Sequence, residues 1–154
     1  MHKNKMIEKL KPGEIKDVIG QENPNSFCDR KTNIPHVIRY SDDFAWGYNG
    51  SGPSDFALNI LLHFTNGDVA FSRKHCVNFR EEIVSRLRTK SITIPAQHVL
   101  SWIRLRKEID PVKPEEEQEY KGSFGYGGYL KPLYEVVREA STIKLNENKV
   151  TREY

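Results

Sequence analysis

One stretch constrains this chain more than any other: Trp46-Gly47-Tyr48-Asn49-Gly50-Ser51-Gly52-Pro53-Ser54-Asp55, leading directly into Phe56-Ala57-Leu58-Asn59-Ile60-Leu61-Leu62. Three glycines so close together specify a backbone shape, because glycine reaches positive φ and lets a neighbouring group come near. Pro53 suits a first helical position, where its missing N–H costs nothing. Phe56, Ala57, Ile60, Leu61 and Phe64 then recur at helical spacing. This predicts a helix from Pro53 to Phe64 with one broad buried face, Asp55 in its first turn and Gly67 as its left-handed cap. Unpaired N–H groups at the helix start, beside residues without Cβ atoms, make the turn a candidate anion site.

Around this stretch the patterning predicts an α+β fold, a small sheet packed with about four helices, the glycine-rich turn feeding the central one. Pro12-Gly13 divides residues 1–20 into two short elements, and residues 20–33 read as a loop rich in turn formers. Residues 36–40, with Val37, Ile38 and Tyr40, read as a strand. Asp68-Val69-Ala70-Phe71 is open between strand and linker. A second helix is expected from Asn78 to Leu87, an extended piece at Ser91–Ile94, and a third helix opened by Thr93 or a neighbour and stopped by Pro111. Residues 1–110 therefore read as the core domain, 111–129 as an acidic and then Gly/Tyr-rich linker or lid, and 130–154 as a helical or extended extension.

Composition narrows the function classes. With 154 residues, 37% hydrophobic and 29% charged, the chain reads as one soluble domain. No apolar run approaches the roughly 20 residues that cross a bilayer, and no signal peptide is evident, so a cytoplasmic location and no membrane partner are expected. Cys28 and Cys76 belong to no CxxC pair, which suits a reduced compartment. The five histidines show no ligand spacing, so no metal or other cofactor is expected.

The net charge of +3 conceals blocks of charge. Residues 41–70 hold Asp42, Asp43, Asp55 and Asp68 with no Lys or Arg, whereas residues 71–107 hold nine basic and two acidic residues. Residues 108–120 are acidic again, through the run Glu115-Glu116-Glu117 and its neighbours. Such blocks bear on partners rather than on fold.

Two further pieces accompany the glycine turn and its helix: Phe79-Arg80-Glu81-Glu82-Ile83-Val84 and Leu100-Ser101-Trp102-Ile103. From Phe44 to Trp102 this order of features resembles a bacterial and phage domain family of unknown function. The turn is the distinctive part, with Asn49 standing where the family pattern has glycine. The resemblance implies a small α+β domain carried by phages and mobile elements, and it brings no reaction and no catalytic residues.

The turn lacks the Lys-Ser/Thr ending of a triphosphatase loop, and Gly50-Ser51-Gly52 lacks the spacing of a nucleophile elbow. Asp43, Asp55, His63 and His75 could move protons, yet no spacing joins an acid to a base, so catalysis ranks last. The expected function is non-catalytic binding of a phosphorylated small molecule, a nucleotide-derived signal, with sequestration by a phage anti-defence protein as its natural use. The candidate ligand-binding residues are Trp46, Tyr48, Asn49, Gly50, Ser51, Gly52 and Asp55 from the turn, with Arg73, Lys74 and Arg80 from the basic segment. Trp46 and Tyr48 would stack on a base and the guanidinium groups would hold phosphate. The alternative is a nucleic-acid-binding or protein-inhibitor accessory protein, since basic residues interleaved with aromatics also track a nucleic-acid backbone. Residues 122–129 are read as a lid over the site or an arm toward a second subunit of a homo-oligomer. The reading depends on the turn and the basic segment meeting in space.

Overall fold

The computed structural model describes residues 7–23 and 26–122, which form a three-stranded antiparallel sheet and four α-helices. Strands β1 (Val18–Asn23) and β2 (Ser26–Thr32) make a hairpin, and β3 (Ser91–Ile94) lies on the other side of β1. Gly20 pairs with both Thr32 and Ile92, so the inward positions Val18, Gly20, Ile92 and Ile94 form one buried face. Turn formers predict a loop over residues 20–33, but Gly20–Asn23 belong to β1 and Ser26–Thr32 to β2. The α+β class with four helices is thus the observed one.

Helix α1 (Ser51–Phe64) is the centre of the molecule. Twelve of its 14 residues are buried, so it is enclosed on all sides rather than along one stripe. Phe56, Ile60, Leu61 and Phe64 join the main core, whereas Leu58 and Leu62 meet Ile38 and Val69 in a second cluster. Fully burying one such side chain is worth about 1.5–3 kcal/mol, which makes this helix the chief organiser of the fold. It ends where Gly67 N–H donates to Leu62 O (2.8 Å).

Helix α2 (Val69–Glu82) begins earlier than the periodicity suggested. Asp68 caps it by accepting from Phe71 N–H (3.0 Å), which settles 68–71 as a helix start. It packs along α1, and a single 3₁₀ turn, Val84–Arg86, follows it. Helix α3 (Ala96–Ile109) lies where Pro95 and Pro111 placed it, but its cap comes from afar: Asp17 Oδ1 accepts from Ala96 N–H (2.8 Å). Helix α4 (Pro114–Gly122) occupies the acidic stretch expected to be a linker and packs on α2. Residues 123–154, which include most of the expected lid and all of the extension, lie outside the described residues. Among the described residues no helix is long and apolar enough to cross a membrane.

Candidate functional site

Glycines fix the turn before α1 at two contacts. Gly47 adopts φ +92°, its N–H donates to Val84 O (3.1 Å), and a Cβ there would stand 3.0 Å from Leu87 O. Only glycine meets both demands without strain. At Gly52, inside the first turn of α1, a Cβ would come within 2.8 Å of Ala45 Cβ. Between them Trp46 is buried, 5.6 Å from the Phe56 ring, and its indole N–H donates to Thr89 O (2.9 Å). The turn therefore binds the start of α1 to residues 43–45 and to the chain after α2.

This packing opens a surface groove of about 670 Å³ beside the helix start. Ligand sites typically occupy about 300–1,000 Å³, so the groove has the capacity for a small molecule. Tyr40 and Tyr48 flank it, 55% and 50% exposed; Arg30, Ser41, Asp42, Asp43, Ser51 and Gly52 also line it. Gly50, the residue before α1, offers no side-chain cap, so the first amides of the helix lack an intrahelical partner where the groove begins. Arg30 stacks on Trp46 at 5.2 Å and pairs with Glu22 (2.5 Å), which offsets most of its charge. A second cavity, of about 110 Å³ among Leu10, Pro12, Pro35, Val37 and Leu62, is smaller and almost wholly apolar.

The groove wall, residues 36–44, is not a strand. Among the described residues, 34–46 make no main-chain-to-main-chain hydrogen bond. Two buried side chains one turn apart on α1 hold it instead. Asn59 Oδ1 accepts from Val37 N–H (2.8 Å) and Ile38 N–H (3.0 Å), and its amide donates to Ile38 O (2.9 Å). The Asp55 carboxylate accepts from Tyr40 N–H (3.2 Å), Ser41 N–H (3.1 Å), Asn59 Nδ2 (3.0 Å) and His36 Nε2 (2.6 Å). A carboxylate removed from water needs such partners, and here donors surround it. The predicted strand fails for this reason: its donors are satisfied by side chains.

The basic segment does reach the turn, and Arg80 brings a charged side chain to it. Arg80 donates to Asn49 Oδ1 (3.0 Å) and Ser54 Oγ (2.9 Å), and pairs with Glu81 (3.3 Å). Its contacts staple the turn to α2. Lys74 faces the other way, between Asp110 (3.1 Å) and Glu116 (2.7 Å), whose hydrogen bonds raise its pKa. Arg106 pairs with Glu82, and the Trp102 indole N–H holds that carboxyl below the usual range. Arg73 is near Cys76, whose thiol burial pushes up, and is not among the groove residues. Lys74, Arg80 and Arg106 of the basic run are thus paired with carboxylates within the protein.

Of the candidate residues, Tyr48, Ser51 and Gly52 line the groove, Asn49 and Gly50 complete the turn, and Trp46 and Asp55 support it from beneath. Arg80 joins the turn, whereas Arg73 and Lys74 do not reach the groove. Sequence reasoning missed Arg30, His36, Tyr40 and Asn59. One signal for Asn59 was available: Asp55 and Asn59, four apart within an apolar run, share a helix face and must find partners once buried. Arg30 has no local signal at all.

The fold and this site define a small α+β domain, built on one enclosed helix, with a polar groove at that helix's start. Residues 16–105 match a family of unknown function, DUF6166, and the chain belongs to that family. No curated protein and no solved structure matches it.

Proposed function

We propose that the protein binds a small phosphorylated ligand of nucleotide type in the groove, without turning it over. The observation that carries this reading is the groove itself, bounded by two exposed tyrosines at the uncapped start of α1. A base stacks on Tyr40 or Tyr48, a phosphate lies toward Ser51 and Gly52, and Asp42 and Asp43 accept from ribose hydroxyls or an exocyclic amine. With its neighbour Arg30 paired to Glu22, the groove favours a ligand of low charge over a polyphosphate. In the phage setting that the family resemblance implies, retention in the host cytoplasm sequesters a nucleotide signal.

The nucleic-acid alternative rests on Arg88 and Lys90, which are exposed. The pairing of Lys74, Arg80 and Arg106 to carboxylates weighs against it. Native mass spectrometry against a panel of mono- and cyclic nucleotides, with a single-stranded oligonucleotide in a salt series, separates the two. Tyr48→Ala and Tyr40→Ala should each weaken nucleotide binding by about 1–3 kcal/mol while the melting temperature holds. Affinity unchanged in both folded variants would overturn the site. Product formation would make the protein an enzyme, and salt-steep oligonucleotide binding alone would favour the alternative.

A further inference from the structure

We infer that Asp55 and Asn59 are positioning residues of the groove: buried on α1 and outside the groove lining, they set the shape of its wall and hence its affinity. This rests on the groove's being the binding site. The wall carries Tyr40, Ser41 and Asp43, yet segment 34–46 makes no main-chain ladder of its own among the described residues. Its amides reach two side chains on a single helix face, four residues apart, both essentially without solvent contact. Ser41 links the parts, since its hydroxyl lies 2.9 Å from Asp43 O and 3.1 Å from Asp55 Oδ2. Release of the carboxylate therefore frees the end of the wall that bears Tyr40, whereas Asn59 keeps hold of residues 37–38. Helix α1 is packed by apolar side chains over most of its surface, so the wall can loosen while the helix stays formed.

Asp55→Asn tests this with little change of shape. Oδ2 now faces Ser41 N–H, the Ser41 hydroxyl and His36 Nε2, and Oδ1 faces Tyr40 N–H and Asn59 Nδ2. Whichever way the new amide turns, its NH2 group meets donors. Hydrogen exchange read at single amides should show Tyr40 and Ser41 protected in the wild type and exchanging about tenfold faster or more in the variant, while the α1 amides keep their protection. The mononucleotide that binds the wild type best should bind the variant about tenfold more weakly or worse. His36→Gln, which keeps an N–H donor, should restore most of the protection that His36→Ala loses. If Asp55→Asn does not fold, Ser41→Ala serves instead, with faster exchange expected at residues 41–43. Wild-type Tyr40 and Ser41 amides exchanging at free-loop rates would overturn the inference, as would unchanged exchange in a folded variant. If wild-type protein binds no nucleotide but exchange responds as described, the ligand reading fails and the wall assignment stands.

Discussion

On α1 near the groove, Asp55 and Asn59 are buried and bonded on every side, giving their hydrogen bonds to the wall, His36 included, and to one another. On the outer faces of α2, α3 and α4, Lys74 and Arg106 pair with carboxylates that solvent reaches. The first arrangement shapes the backbone, because a buried donor without a partner costs far more than a satisfied one contributes. The second satisfies charge and leaves the backbone to its helices. A dense run of basic residues in a sequence is therefore a poor guide to a binding surface when acidic residues lie nearby to receive it.

The comparison breaks most readily at Asn59. Asn59→Leu, similar in volume, orphans two buried amides and a carbonyl, and should cost about 3 kcal/mol or more. Chemical denaturation should show a lower midpoint at unchanged slope, and a loss below about 1 kcal/mol would place the wall's support elsewhere.

A second effect comes from two histidines largely withdrawn from solvent, His63 in the last turn of α1 and His75 in α2. His63 donates to Glu14 O (2.6 Å) and His75 to Asp110 O (3.1 Å), and burial lowers both pKa values below the ordinary 6.5. Well above pH 6.5 neither the folded nor the unfolded chain protonates them, so they leave stability level. As pH falls through 6.5 toward the folded values the unfolded chain takes protons first, and stability declines until those values are passed. Melting temperature followed downward from neutral pH should show this decline, and His63→Gln should flatten part of it while keeping a donor for Glu14.

The smallest effect belongs to the exposed pairs. Glu82→Gln should cost no more than about 1 kcal/mol, and less at high salt, because solvent already screens the charges. A larger loss would mean that the α2–α3 side depends on its charges as the groove wall depends on Asp55.

The sequence made much of this legible, unevenly. The glycine turn, the central helix, α3 between its prolines and the α+β class could be read because their determinants are local: turn chemistry, helical periodicity and backbone restriction at proline. The strands β1 and β2 were hidden, because Asn23, Pro24, Asn25 and Ser26 weigh in a sequence as a loop, whereas the pairing of Gly20 with Thr32 and Gln21 with Lys31 is a non-local choice. The strand expected at 36–40 fails because β-branched residues report a preference for extension without saying where the donors go.

Taken alone, the sequence determined that a glycine-shaped turn must precede one strongly apolar helix, since glycine conformation and apolar periodicity are properties of neighbouring residues. Tertiary structure decided that this helix is enclosed on all sides, that Asp55 faces inward to hold the wall, and that Arg80 meets the turn while Lys74 pairs with Asp110 and Glu116. Those outcomes depend on partners 19 residues away for His36 and Asp55, 26 for Ser54 and Arg80, and 42 for Lys74 and Glu116. No local pattern encodes which charge meets which, because pairing is chosen only when packing brings the elements together.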